Sequence, residues 1–423
     1  MIEAVQTYTE RNLPLCHRIL FVTDPVKIAV AVALFFLAIH IAVPVILLMQ
    51  SENYIIHEEA ILGGDFVVFW TTARELFHGN ALAMYNIDAL VAKLNDNFAL
   101  PEPPIMTFSY PPIMFLIIAP LGVLGYLPAL LVWWGVTLGI FIRTLSHLSH
   151  HRPSVLIAIA STTVFQAAIT GQTGFLTATL LIGAAYDPAR RAMLAGAAAG
   201  LLLFKPQFGL LIPVAYAAAG YWRAFGYAAL FGMLFAAIST SFVGLDAWSI
   251  FHSAIANHGD ILQSGALSNY KLSSVYGAVL TLNGPSWLAF SVHTIFAVAV
   301  VGAIVLVWRK APSKDIRIIS LCAGTAMINP YIYFYEMTLL IPALLLLAKR
   351  GATHGWLNGE RTALAALWIA PVLILSGPFA ETIPYASFIT ACAAILCARR
   401  IHHELIDQAG TQTRTTKPVG APS

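Results

Sequence analysis

An all-α integral membrane protein is the fold class that this sequence predicts, and two observations predict it. Hydrophobic residues make up 59% of the chain and charged residues only 10%, whereas an ordinary soluble domain carries about 25% charged residues. Apolar runs that approach the length of a membrane-crossing helix, about 20 residues, recur along the chain and begin with 27–49. The sequence therefore predicts a polytopic helical bundle and excludes a soluble globular domain.

The predicted spans number about 12, at 27–49, 126–145, 153–169, 172–186, 190–204, 207–221, 224–243, 287–308, 317–330, 335–349, 362–377 and 384–399. The apolar stretch 111–124 is too short for a comfortable crossing and is interpreted as a re-entrant or interfacial helix. These boundaries predict a cytoplasmic segment 1–26, a membrane unit 27–400 with an external loop 50–125, and a cytoplasmic tail 401–423. The tail is rich in Thr, Gly, Ser and Pro, which predicts disorder.

The lysines and arginines orient the predicted spans, because short cytoplasmic loops are enriched in them. With the N-terminus inside, only four of the 23 basic residues lie outside: Arg74, Lys93, Lys205 and Lys271. Counting 111–124 as a full span would reverse every later segment and leave most basic residues outside. The distribution predicts that both termini are cytoplasmic and that the functional face is external.

The external loop contains a helix that follows Asp65. One face of this helix is apolar, with the spacing of a 3.6-residue period: Phe66, Phe69, Trp70, Ala73, Leu76 and Phe77. The pattern predicts an amphipathic helix in the membrane interface, with Asp65 at its N-terminal end. An aspartate in this position is also a good helix N-cap, so the sequence leaves capping and chemistry both open for Asp65.

Several motifs in order carry a family resemblance: GGDFVVFW, SYPPIMFLIIAPL, TGQTGFLTATLL and AGAAAGLLLFKPQFGLLIP. From about residue 60 to 345, this succession resembles the bacterial membrane glycosyltransferases of family 87, which have the GT-C architecture. The resemblance implies a GT-C-type bundle in a bacterial inner membrane. It implies transfer of a sugar, typically mannose or a related pentose or hexose, from a polyprenyl-phosphate donor to a lipid or glycan acceptor on the outer face, with inversion at the anomeric carbon. It also implies that an acid in the first external loop is the general base, and the matching residue is Asp65.

This chemistry suits the charged residues of the external face. Inverting transfer needs a carboxylate to accept the proton of the attacking hydroxyl and a cation to stabilise the departing phosphate. Lys205 is the first candidate for the phosphate, with a snorkelling residue as the alternative, and Lys271 is the second, with a solvated loop charge as the alternative. Asp65 is followed by Phe66 and Val67, so the sequence has no DxD pair there and predicts no metal. It also predicts no cofactor and no nucleic-acid partner.

Other polar residues on the same predicted face are candidates for substrate contacts: Tyr110, Gln172, Gln207, His258, Asp260, Asn329, Tyr335 and Glu336. Tyr110 precedes two prolines, so a structural corner explains it equally. Gln172 lies at a tight turn, where its amide can instead satisfy the turn backbone. Family members often have a histidine near 329–336, where this chain has Tyr335 and Glu336.

Two other classes of protein compete with this interpretation. A secondary transporter or lipid flippase would explain the helices, and an inverted repeat with broken helices in both halves would favour it. A scaffold for an envelope assembly would need neither an acid at the head of a helix nor isolated external lysines. The sequence shows no inverted repeat.

Overall fold

The computed structural model describes residues 25–57, 60–100, 104–263, 268–310, 313–376, 379 and 381–415; of these, 57, 257–263, 376 and 408–415 are described by backbone alone. This part of the chain is nearly all helical, as the sequence predicts. Its one sheet is a short antiparallel hairpin of β1 (Ile55–His57) and β2 (Ala60–Ile61).

The α-helices are, in chain order, α1 (Pro25–Gln50), α2 (Phe66–Phe77), α3 (Ile87–Phe98), α4 (Met114–Ile118), α5 (Tyr126–Leu148), α6 (Arg152–Ile159), α7 (Thr162–Ile169), α8 (Gly174–Tyr186), α9 (Ala192–Leu201), α10 (Pro206–Gly209), α11 (Leu211–Ala218), α12 (Trp222–Val243), α13 (Asp246–Gln263), α14 (Val275–Thr281), α15 (Ser286–Arg309), α16 (Lys314–Ile328), α17 (Leu340–His354), α18 (Glu360–Ile369), α19 (Val372–Ser376) and α20 (Tyr385–Thr415). Short 3-10 helices occupy Ala81–Tyr85, Ala119–Val123, Leu202–Phe204, Asn269–Lys271 and Phe334–Leu339.

Four described helices are long and apolar enough to cross a membrane: α1, α5, α12 and α15. The pair α6 and α7 adds a fifth crossing if the two helices, bent by 52°, form one span. The structure confirms a helical membrane protein but does not confirm about 12 spans. Several predicted spans are shorter helices than a bilayer requires, since α8, for example, runs only from Gly174 to Tyr186.

The helix after Asp65 differs from its predicted environment. The sequence predicts an interfacial helix with one polar face, but α2 is buried on almost every side, including its polar residues Thr71, Thr72 and Glu75. The reason is tertiary: α3 and the 3-10 helices Ala81–Tyr85 and Ala119–Val123 all pack against α2. The indole N–H of Trp70 donates to the carbonyl oxygen of Leu124, just after the second of these 3-10 helices, at 2.9 Å. The prediction of a surface amphipathic helix is therefore wrong.

Two other segments bear on the predicted boundaries. The stretch 111–124 forms α4 and the 3-10 helix Ala119–Val123, too short for a span, as predicted. The C-terminal helix α20 continues to Thr415, whereas the sequence predicts disorder from residue 401. Residues 1–24 and 416–423 lie outside the described residues, and so does most of the predicted N-terminal segment.

The bundle brings three connections together at one place. The bend between α6 and α7 directs α7 towards the turn 170–173, and α8 begins directly after that turn. The 3-10 helix Phe334–Leu339 packs against both α7 and α8. The residues ahead of α2 contact the same turn, since the backbone N–H of Asp65 donates to the carbonyl oxygen of Thr170 at 3.0 Å. Most of the predicted site residues lie at this junction.

Candidate active site

Asp65 is placed by a glycine turn at the start of α2. Gly64 has a φ of +53°, in the left-handed region, and a Cβ at this position would lie 3.0 Å from the Cα of Thr170. Only glycine allows this conformation and this approach without strain. Asp65 occupies the N-cap position of α2, but its side chain makes no capping hydrogen bond. The side chain of Asp65 therefore does not cap α2, which was one of the two roles that the sequence leaves open.

The turn before α8 approaches Asp65 equally closely. Gly171 has a φ of +60°, and a Cβ there would lie 2.3 Å from the carbonyl oxygen of Gly63 and 2.5 Å from the Cβ of Phe66. The indole N–H of Trp133 donates to the carbonyl oxygen of Gly171 at 2.9 Å and fixes the turn from the opposite side. The two glycine turns therefore hold Asp65 and the residue after Gly171 at a fixed separation.

A hydrogen-bonded chain joins Asp65 to two predicted site residues. The Nε2 of Gln172 donates to the Oδ2 of Asp65 at 2.6 Å, and the hydroxyl of Tyr110 donates to the Oε1 of Gln172 at 3.0 Å. No described residue hydrogen-bonds to the Oδ1 of Asp65, and the side chain of Asp65 remains partly exposed. One carboxylate oxygen is thus held, and the other is free to meet a ligand.

Lys205 and Glu336 form a buried ion pair beside this chain. The ammonium of Lys205 donates to the Oε1 of Glu336, and the two side chains are 9% and 2% exposed. The Nζ of Lys205 also lies 5.3 Å from the centre of the Tyr110 ring. Burial disfavours the ammonium, but Glu336 and Tyr110 more than offset this, so the pKa of Lys205 lies above its usual value.

Lys271 reaches the same site from a loop that two segments hold in place. An isolated β-bridge pairs Leu272 with Tyr333, and the backbone N–H of Ser273 donates to the carbonyl oxygen of Ile332 at 2.7 Å. In the part of the chain that the structure describes, Lys271 has no ion-pair partner; its Nζ lies 5.6 Å from the centre of the Tyr270 ring. The charge of Lys205 is compensated by Glu336, whereas that of Lys271 is not.

The electrostatic environment of Asp65 combines opposing effects. Burial raises the pKa of the Asp65 carboxyl above its usual range. The hydrogen bond from Gln172 and the positive charges of Lys205 and Lys271 act against that rise. The carboxyl is consequently more basic than that of an exposed aspartate, while two cations still favour its ionised form. This balance suits a group that accepts a proton.

The remaining predicted site residues lie elsewhere or serve the backbone. Gln207 is exposed on α10. The Oδ1 of Asn329 accepts from the backbone N–H of Tyr331 at 3.0 Å, which closes the turn after α16. His258 and Asp260 belong to α13, but their side chains lie outside the described residues. The structure therefore gathers Asp65, together with Tyr110, Gln172, Lys205, Lys271, Tyr335 and Glu336.

Sequence reasoning missed Tyr333. Its ring stacks on that of Tyr335, with centres 5.6 Å apart and planes 9° from parallel. Burial raises the pKa of Tyr333, and the negative charge of Asp65 raises it further. The repeat of Tyr331, Tyr333 and Tyr335 stands out in the sequence, but it does not predict their positions, because Tyr331 lies in a turn and Tyr335 in the 3-10 helix Phe334–Leu339.

The predicted absence of a metal remains a prediction. Across the described ranges, no three His, Cys, Asp or Glu side chains converge in a group that could hold a metal ion. Asp65 and Glu336 are the acids of the candidate site, and each has a specific partner within it.

Comparison with known proteins gives one match. The family model of glycosyltransferase family 87 matches residues 108–330, just over half of the chain. No curated protein and no solved structure matches the chain. The matched range contains Tyr110, Gln172, Lys205 and Lys271, whereas Asp65 and Glu336 lie outside it. The inclusion of these two acids in the site rests on their contacts.

Proposed function

This chain belongs to glycosyltransferase family 87, and we propose that it is an inverting membrane enzyme that moves a sugar, with mannose as the first candidate, from a polyprenyl-phosphate donor to a lipid or glycan acceptor. The observation that carries the proposal is the setting of Asp65. Gln172 holds one carboxylate oxygen, the other has no described donor, and two lysines lie close to the acid. A partly exposed, raised-pKa carboxylate of this kind is suited to general base catalysis.

In the proposed reaction, the acceptor hydroxyl attacks the anomeric carbon from the face opposite the phosphate. The bond from the acceptor oxygen to that carbon forms while the bond from the carbon to the phosphate oxygen breaks. The proton of the hydroxyl passes to the Oδ1 of Asp65, and the electron pair of the broken bond leaves with polyprenyl phosphate. A single displacement of this type inverts the configuration and needs one base.

The departing phosphate gains one negative charge, so a cation beside it stabilises the transition state. We assign the direct contact to Lys271 first, because no described acid forms an ion pair with its ammonium. Lys205, the first candidate from the sequence, becomes the second here, since its ammonium is already bound to Glu336. Lys205 contributes positive potential to the site, and it can contact the phosphate directly only if its ion pair with Glu336 breaks.

The sugar ring is assigned to the space bordered by Tyr333, Tyr335 and Glu336. The stacked tyrosines offer apolar ring faces and hydroxyl groups beside Asp65. The Oε2 of Glu336 is buried and has no hydrogen-bond partner among the described residues. Buried polar atoms are nearly always satisfied, and a sugar hydroxyl is a suitable donor for this oxygen.

We propose the same topology that the basic residues predict. Residues 27–400 are the catalytic membrane unit of GT-C type, both termini are cytoplasmic, and the Asp65 site opens to the outer leaflet of a bacterial inner membrane. The distribution of lysine and arginine supports this orientation. A lipid-linked donor suits an external site, since nucleotide sugars are made in the cytoplasm.

The proposal is tested with the full chain in proteoliposomes. Radiolabelled polyprenyl-phosphate mannose and a nucleotide-linked mannose are supplied separately, with a membrane lipid extract as acceptor, and labelled product and free polyprenyl phosphate are measured. We expect product only from the lipid-linked donor. Asp88→Asn, at an exposed acid of α3 in the same loop, is expected to retain activity.

Two results would contradict the proposal. Consumption of the nucleotide sugar alone would assign a different donor class and a cytoplasmic site. Movement of the lipid-linked sugar across the bilayer without its consumption would favour the transporter or flippase interpretation.

A further inference from the structure

The chain of contacts that ends at Asp65 begins at the buried ion pair. Glu336 binds the ammonium of Lys205, and the Nζ of Lys205 lies 5.3 Å from the centre of the Tyr110 ring. The hydroxyl of Tyr110 donates to Gln172, and Gln172 donates to Asp65. The members come from five different segments of the fold. None of these contacts is between sequence neighbours, so the chain exists only in the folded protein.

The chemistry of the last member fixes the direction of the hydrogen bonds before it. An ionised carboxylate only accepts hydrogen bonds, so the Gln172 amide must present its N–H₂ group to the Oδ2 of Asp65, at 2.6 Å. The Oε1 of Gln172 is then left as an acceptor, and the O–H of Tyr110 donates to it at 3.0 Å.

A second contact supports the same orientation of the amide. The backbone N–H of Thr173 lies 3.4 Å from the Oε1 of Gln172. A backbone N–H can only donate, so an amide turned the opposite way would place its own N–H₂ group against this donor. Both the Tyr110 hydroxyl and the Thr173 backbone therefore favour the orientation that gives Asp65 a donor.

We propose that Tyr110 is a positioning residue of the transferase reaction: lying beside the Lys205–Glu336 pair, it fixes the orientation of the Gln172 amide, and that amide in turn holds Asp65 as the carboxylate with Oδ1 free. This assignment rests on the proposed function of Asp65 as the base. It gives Tyr110 and Gln172 a role other than substrate contact.

The charged and titratable groups that face Asp65 are Lys205, Lys271, Tyr110, Tyr333 and Tyr335. The substitution Tyr110→Phe removes a neutral hydroxyl and leaves both lysine charges in place. A purely Coulombic account of the Asp65 site thus predicts no effect of this substitution on the protonation of Asp65. The hydrogen-bonded chain from Tyr110 through Gln172 predicts instead that the protonated form of Asp65 becomes easier to populate.

The test is a double-mutant cycle read by titration. The Asp65 carboxyl is followed against pH by infrared difference spectroscopy in the full chain, and Asp65→Asn identifies its band. Loss of one hydrogen bond to the carboxylate in Gln172→Met is expected to raise the midpoint by about one pH unit. Tyr110→Phe is expected to raise it by about half as much and to add nothing in the Gln172→Met background.

A matched control separates positioning from loss of packing. Tyr216→Phe removes another buried hydroxyl, which donates to the carbonyl oxygen of Ala184 at 2.8 Å away from the site, and it should leave the titration of Asp65 unchanged. The phenylalanine at 110 keeps the ring that packs against Phe69 and Phe108, so the fold is retained. Thermal unfolding of both variants checks this.

The outcomes distinguish this inference from the proposed function. An unchanged Asp65 titration midpoint in Tyr110→Phe, or additive shifts in the double variant, would overturn the positioning role of Tyr110 even if the wild type transfers sugar. The expected shifts in a protein without transferase activity would support the hydrogen-bonded chain and refute the proposed reaction. In an active protein, the acid limb of the kcat/KM profile should move with the infrared midpoint.

Discussion

Gly171 sets the distance between the turn that carries Gln172 and the turn that carries Asp65. Its replacement by alanine tests that geometry. The new Cβ would lie 2.3 Å from the carbonyl oxygen of Gly63 and 2.5 Å from the Cβ of Phe66. Ordinary contact needs about 3.5 Å, so the turn must retreat by about 1 Å. The 2.6 Å hydrogen bond from Gln172 to Asp65 would then reach about 3.6 Å, beyond hydrogen-bonding distance.

The expected consequence is large for activity and measurable for stability. A displacement of about 1 Å in a catalytic group typically lowers the rate about 100-fold, so kcat/KM for Gly171→Ala should fall by about that factor. Alanine at a positive φ adds about 1–2 kcal/mol of destabilisation, which a lower unfolding temperature in detergent would reveal. Transfer from the lipid-linked donor and thermal unfolding are measured on the same preparation.

Gly79→Ala is the matched control. Gly79 has a φ of +77°, but no heavy atom lies within 4 Å of a Cβ built there. This variant has the strain of alanine at a positive φ but no steric clash of the new Cβ. It should therefore lose some stability and keep its activity. Equal activities for Gly171→Ala and Gly79→Ala would refute the claim that the approach of the two turns positions Asp65.

Three further predictions concern charge. The proposed base must be ionised to accept a proton, and burial raises the pKa of Asp65, so kcat/KM should fall as the pH drops through a midpoint above that of an exposed aspartate; a midpoint near the exposed value would contradict this. Lys271→Gln should raise the KM for the lipid-linked donor, whereas Lys93→Gln, at a lysine of α3 paired with Glu75, should not. Equal effects would remove Lys271 from the phosphate site. Glu360→Gln breaks the buried pair with Arg400 and should cost about 3–5 kcal/mol of stability while leaving KM unchanged; an unchanged unfolding temperature would show that the pair contributes little.

The sequence could predict most members of the site, because polar residues are rare in this chain and each one stands out. Asp65, Gln172 and Lys205 each lie between apolar segments, and the predicted orientation places all of them on one side. Their partners could not be predicted. Lys205 and Glu336 are 131 positions apart, and nothing in the local pattern around either residue indicates that they pair.

The error at α2 has a physical origin. Periodicity reports how apolar residues are arranged around one helix, but it does not report which other segments cover the remaining faces. Here α3 and the 3-10 helices Ala81–Tyr85 and Ala119–Val123 all pack against α2, and a Cβ at Gly122 would lie 2.3 Å from the carbonyl oxygen of Ala73. Such close backbone contact depends on the tertiary fold.

The number of spans was uncertain for a related reason. Hydropathy locates apolar runs, but a run of 13 to 15 residues is compatible with a short buried helix as well as with a crossing. The pair α6 and α7 illustrates this, since one predicted span, 153–169, is two helices bent by 52°. The bend turns the chain towards Gln172, so the departure from a simple span is what positions the site.

Single-turnover transfer by Asp65→Asn tests the central claim most directly. The asparagine keeps the size of the side chain and an oxygen that can accept from Gln172, but it cannot accept the proton of the attacking hydroxyl. With lipid-linked donor bound at saturation, we expect the chemical step to slow by at least about 100-fold, while donor binding and the unfolding temperature stay at wild-type level or above. Transfer at the wild-type rate by a folded Asp65→Asn protein would contradict the account and assign the base to another residue.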